Sequence, residues 1–147
     1  MNENNNSSLE FEDIKINVKF KISALWMSTM LCYLYGDYFG LFKPGKLDSI
    51  LNGQMIPIGE VTQSVLLGTS FMMAVPAIMV FLTICLKSSM SRLVNIVLGF
   101  FYTIIILVTL IGSWYYYIFL GIIEISLTSL VVWYAWTWPR QKLNMQE

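Results

Sequence analysis

Histidine is absent from the sequence. That removes the commonest general base, the commonest metal ligand and the usual haem ligand. Cysteine is almost as scarce: Cys32 and Cys85 stand far apart in separate apolar blocks. They match no zinc or redox spacing and read as small packing residues. There is no glycine-rich phosphate loop and no basic patch with interleaved aromatics, so nucleotide and nucleic-acid binding find no support. Charge is short as well. Charged residues make up 12% of the chain, against about 25% in a soluble domain. No cofactor, no metal site and no catalysis are expected, since no nucleophile stands beside a base.

What is present is apolar and arranged in blocks. Hydrophobic residues make up 56% of the chain, and runs of about 18 or more read as transmembrane helices. The fold expected is an all-α membrane protein, a four-helix antiparallel transmembrane bundle over residues 22–138. A polar amino-terminal segment, 1–21, precedes it and a polar tail, 139–147, follows. Residues 1–13 are rich in Asn, Ser and Glu, a composition of disorder. Ile14, Ile16, Val18, Phe20 and Ile22 alternate with Asn17 and three lysines, which suggests extended chain at the membrane surface. The apolar block that follows is too long for a signal-peptide core and reads as retained.

The first span is expected over 22–42, capped by Ser23 and stopped by Lys43-Pro44-Gly45. In the next loop Leu47, Ile50 and Leu51 are spaced as one interfacial turn of helix, ended by Asn52-Gly53. The second span covers 61–86, with Pro76 kinking it near the middle. The third covers 93–111 and the fourth 115–138, stopped by Pro139.

Orientation follows from the basic residues. Lys15, Lys19, Lys21, Lys87, Arg92, Arg140 and Lys142 fall on one side, and only Lys43 and Lys46 on the other. Both termini are therefore expected in the cytoplasm.

Within the spans, small and polar residues form stripes. Ala24, Ser28, Cys32, Gly36 and Gly40 recur every four residues, a spacing that lets helix backbones approach closely. Two partners suit this stripe: another helix of the same bundle, or a second copy of the chain in a homodimer. The fourth span carries Tyr117, Gly121, Glu124, Thr128, Val131 and Ala135. The third carries Asn95, Gly99, Tyr102 and Thr109, and the second Thr62, Thr69, Pro76 and Thr83, with Ser70 alongside. Such stripes face the bundle interior, because lipid offers polar groups no partner.

Two carboxylates stand inside apolar blocks, Asp37 and Glu124. An acid at a helix centre costs roughly 2.5 to 3.5 kcal/mol on the insertion scale, so intramembrane acids are functional candidates. Asp37 also stands close enough to the end of its span to reach water. Antiparallel packing sets both acids in the outer half, near the expected depth of Thr69, Ser70 and Thr109, with Tyr102 on the same stripe. These six residues form the candidate ligand- or proton-binding set.

Ser23-Ala24-Leu25-Trp26 followed by Tyr33-Leu34-Tyr35-Gly36-Asp37 resembles the start of a family of small four-span bacterial membrane proteins of unknown function. The resemblance continues through Pro76-Ala77-Ile78-Met79-Val80 and Arg92-Leu93-Val94-Asn95-Ile96, then to Glu124 and Trp133-Tyr134-Ala135-Trp136-Thr137-Trp138-Pro139. It implies the topology and a bacterial membrane, and no activity. Members often carry an acid just before the proline of the second span. This chain has Ala74-Val75 there, so a site using that acid is incomplete. The leading expectation is a bundle that binds or moves a proton, a cation or a small cationic solute at a buried acid. The alternative is a non-catalytic accessory or assembly subunit of a membrane complex, with the lipid bilayer and a membrane-protein partner around it.

Overall fold

The computed structural model describes residues 14–55 and 58–139. The expected disorder of the first 13 residues and the polar tail carrying Arg140 and Lys142 lie outside the described residues. Four long helices form: α1 (Val18–Gly40), α3 (Gln63–Cys85), α4 (Ser88–Thr109) and α5 (Tyr115–Trp136). Between α1 and α3 lie the short helix α2 (Lys46–Leu51) and a two-stranded antiparallel hairpin, β1 (Gln54–Met55) with β2 (Gly59–Glu60), pairing Gln54 with Glu60. The α2 turn follows the Leu47, Ile50, Leu51 spacing. The hairpin had no alternating run to announce it. Gly53, just before β1, and Gly59, the first residue of β2, both have positive φ, which glycine adopts without Cβ strain.

The helices α3, α4 and α5 are each long and apolar enough to cross a membrane. Together with α1 they pack in the order α3–α1–α5–α4, and α3 and α4, although consecutive, have a much smaller contact than the three pairs in that order. Hydrogen bonds fix the directions. Lys19 in the first turn of α1 donates from Nζ to the carbonyls of Ile84 (3.0 Å) and Leu86 (2.6 Å) at the end of α3. Arg92, near the start of α4, donates from Nε to Ala135 at the end of α5 (3.1 Å). Each long helix therefore runs against its neighbour. Both cations occupy helix C-termini, where carbonyls lack intrahelical donors and the dipole favours positive charge.

The first helix starts four residues earlier than expected. Asn17, not Ser23, is the cap: its side chain accepts from the Lys19 amide at 3.0 Å. Ser23 lies inside α1 and donates to the Val80 carbonyl of α3 at 2.7 Å. The period-2 pattern of Val18 to Ile22 is thus overridden, because helix α1 lets Lys19 reach the open end of α3. At the other boundaries α4 begins at Ser88 rather than residue 93, and α5 ends at Trp136.

The centre of the bundle holds Ile22 and Trp26 from α1, Met79 from α3, Tyr102 from α4, and Val131 and Ala135 from α5. The Trp26 and Tyr102 rings meet edge to face at 5.8 Å. Below them lies a polar network with no exposure at any member: Trp26, Thr83, Ser91 and Asn95. Trp26 Nε1 donates to Asn95 Oδ1 at 2.7 Å and Thr83 Oγ1 donates to the same oxygen at 3.2 Å. Asn95 Nδ2 donates to the Ser91 carbonyl, and Ser91 Oγ to the Thr83 carbonyl.

Pro76 stands inside α3. It has no N–H to offer the carbonyl four residues back, that of Met72. Tyr102 supplies the missing donor from α4, its hydroxyl meeting Met72 O at 2.6 Å.

Outward, the long helices present large apolar side chains. Leu67 and Phe71 on α3, Leu93 and Ile104 on α4, and Phe119 and Trp133 on α5 are all exposed. A monomeric water-soluble protein rarely carries so continuous an apolar surface.

Candidate functional site

On α5, Gly121, Glu124, Thr128, Val131 and Ala135 are all buried, as their three- and four-residue spacing predicts. Glu124 stands nine residues after the start of α5, about 14 Å along its axis at 1.5 Å per residue. Its side chain keeps only 6% of its surface accessible. Among the described residues, no hydrogen-bond donor and no lysine or arginine partners its carboxylate. The neighbouring hydroxyls are committed elsewhere. Thr128 donates to the Glu124 backbone carbonyl (3.0 Å), and Thr103 on α4 donates to Thr128 Oγ1 (2.8 Å).

Around Glu124, α1 contributes Cys32, Tyr33 and Asp37, and α5 contributes Tyr117, all near enough to feel its charge. The Tyr33 hydroxyl is buried with no hydrogen-bond partner. Asp37 differs from Glu124 in its setting: it lies exposed, three residues from the end of α1, within electrostatic reach of Lys46 on α2. The site therefore runs from an exposed acid at the α2 end of the bundle to a buried one midway along α5.

The six residues of the candidate set separate accordingly. Asp37 and Glu124 lie within electrostatic reach of each other. Tyr102 reaches the site only through Tyr33, and its hydroxyl is committed to Met72. Thr109 is exposed; it donates to its own helix at Ile106 O and lies beside the Tyr117 hydroxyl at the α2 end of the site. Thr69 and Ser70 do not join. Thr69 bonds back to Val65 and Leu66 on its own helix, and Ser70 is exposed on the outer face of α3. The structure adds Tyr33 and Tyr117. Tyr33 was legible as the residue one helical turn before Asp37, on the same face.

The stripe of α1 is also redrawn. Gly36 is buried, Ser28, Cys32 and Gly40 are half-buried, and Ala24 is exposed. A four-residue step overshoots the helical turn by about 40°. The stripe therefore winds from the outer surface at Ala24 to the α5 contact at Gly36. There a Cβ would sit 3.5 Å from Tyr117 Cε2, and at Gly40 3.4 Å from the Tyr116 hydroxyl. The closest helix approach lies instead between α4 and α5. A Cβ on Gly99 would meet Val132 Cγ2 at 2.7 Å, and one on Gly121 would run into the Leu110 side chain.

These features define a helical protein with three membrane-length apolar helices and a fourth packed among them. The chain belongs to a family of unknown function (DUF6326), whose profile matches residues 9–145. No curated protein and no solved structure matches it. Among the described residues, no group of three or more Cys, Asp and Glu side chains is arranged to hold a metal ion.

Proposed function

We propose that the chain is a four-span membrane bundle in which Glu124 binds a proton or a small cation reached from the α2 end, and passes it between phases. The observation that carries this reading is Glu124, a residue only 6% exposed whose carboxylate has neither a donor nor a counter-ion among the described residues. An ionised carboxylate taken from water with no compensation is costly enough that it neutralises or recruits a positive charge. A purely structural acid would be held by a cation or a row of donors.

Helix α1 counts as the fourth span for a physical reason. It has 23 residues, about 35 Å of helix against a hydrocarbon core of about 30 Å. Its charges, Lys19, Lys21 and Asp37, stand near its ends. Between them it turns Met27, Leu31 and Leu34 outward, as a lipid-facing helix does.

Purified protein in liposomes, given a pH step or a gradient of sodium, potassium or methylammonium, should show uptake that Glu124→Gln abolishes and Asp37→Asn reduces. Equal uptake by wild type and Glu124→Gln would remove the support for the site.

The bacterial inner membrane with both termini cytoplasmic remains the orientation we propose. Lys19, Lys21 and Arg92 gather at the end of the bundle where α1 begins and α5 finishes, and the Lys21 amine lies 5.4 Å from the centre of the Tyr134 ring. At the opposite end Lys43 covers Trp114. A reporter active only in the cytoplasm should work when fused after Glu147 and fail when inserted after Gly53. The reverse pattern would invert the topology.

A further inference from the structure

Resting on the reading of Glu124 as a binding site, we infer that the species bound is a proton, with the Tyr33 hydroxyl as its hydrogen-bond partner across the α1–α5 contact. Three observations converge on this.

The first is space. Glu124 keeps 6% of its surface. The clefts that stand out on the molecule lie at its two ends, one walled by Phe39, Phe42, Lys43, Trp114 and Tyr116, the other by Ile14 to Ile16 and Lys21. Neither is lined by Glu124. An organic cation would need room at the carboxylate, and a proton needs none.

The second is the number of ligands. A hard metal ion stripped of water takes about six or more oxygens. Beside the two carboxylate oxygens, the free neutral oxygen on the neighbouring helix is that of Tyr33. The Thr128 and Thr103 hydroxyls are bonded to backbone carbonyls and to each other, not to the Glu124 carboxylate.

The third is complementarity. Tyr33 has a buried hydroxyl with no partner, and Glu124, a residue only 6% exposed, has no hydrogen-bond partner at its carboxyl among the described residues. A neutral carboxyl both donates and accepts, and so does a phenol. Protonated, Glu124 can satisfy itself and Tyr33 together. On release the carboxyl O–H bond breaks, its electron pair stays on the carboxylate, and the proton passes to water at the exposed Asp37. The Tyr33 hydroxyl then turns to donate to the carboxylate left behind.

The titratable groups facing Glu124 are Cys32, Tyr33 and Asp37 from α1 and Tyr117 from its own helix; from α4, Tyr102 acts through Tyr33. None of them is a cation, so none replaces the proton.

Infrared spectroscopy of the full chain in lipid, titrated with pH, tests this directly. Wild type should show the carbonyl stretch of a buried protonated carboxyl, lost as pH rises and missing from Glu124→Gln. Tyr33→Phe keeps the ring and its packing. It should move that band to higher frequency, because a hydrogen bond to the carbonyl is removed, and displace its midpoint by about one pH unit. Sodium, potassium or tetramethylammonium at constant ionic strength should leave the midpoint in place. A midpoint that follows one of these cations overturns the proton assignment while keeping a binding site. A Glu124 signal that responds to neither pH nor cation overturns the binding reading itself. An unchanged band in Tyr33→Phe removes Tyr33 as the partner.

Discussion

Gly99→Ala should destabilise the protein by about 1 to 3 kcal/mol, and Gly99→Leu should leave little folded protein at all. The new Cβ would meet Val132 Cγ2 at 2.7 Å and the Thr128 backbone carbonyl at 3.4 Å. Neither neighbour yields easily. A carbonyl within α5 is fixed by the helix, and valine in a helix is held almost entirely to one χ1 rotamer. Relief therefore requires α4 and α5 to separate, and theirs is the most extensive helix contact in the bundle. Gly36→Ala is the control. Its Cβ would stand 3.5 Å from Tyr117 and 3.8 Å from Leu120, ordinary contact, so it should be tolerated. Gly121 is intermediate, since the obstacle is the flexible end of Leu110. Unfolding in mixed detergent micelles would rank the three. Equal midpoints for Gly99→Ala and Gly36→Ala would show that α4 and α5 are not closed on Gly99.

The second large effect is expected at Asn95. Asn95→Leu keeps the branching at Cγ but removes an oxygen that accepts from both Trp26 and Thr83. Thr83 can turn back to its own helix, but the Trp26 N–H, with no exposure, has nowhere to turn. A buried donor left unmatched costs about 1 to 3 kcal/mol. Interhelical hydrogen bonds inside membranes average only about 0.6 kcal/mol by mutation, so a loss above 1 kcal/mol would mark this network as stronger than most. A double-mutant cycle separates the cases. Adding Trp26→Leu to Asn95→Leu removes the stranded donor, so the combined loss should fall short of the sum of the two. Full additivity would mean the bond contributes nothing beyond packing.

The α5 stripe was legible because its residues alternate steps of three and four, tracking 3.6 residues per turn, and every buried position from Gly121 to Ala135 follows it. The α1 stripe misled because it steps by four throughout. Hydroxyl residues misled in another way. Thr109 and Ser126 donate to carbonyls of their own helices, so they stand on exposed faces at little cost, and a Thr or Ser in a span says little about which way that span faces. Asn95 could be read as polar and inward, but its partner Trp26 lies 69 residues away on another helix. Sequence spacing carries no record of such a pair. The start of α1 was hidden for the same reason: what makes Val18 to Lys21 helical is a contact of Lys19 with the end of α3.

The proline of α3 bears on how the molecule is made. A span inserted alone into lipid must close its own backbone, because an open carbonyl there costs several kcal/mol. Helix α3 cannot do so at Met72, and its donor, Tyr102, is encoded 30 residues later on the following helix. Synthesised in order, α3 enters the membrane unfinished and is completed when α4 arrives, which ties the two into a single hairpin of assembly. A chain truncated within the turn before α4 should consequently be held back by the insertion machinery or degraded, whereas one truncated after Thr109 already carries the group that closes the break.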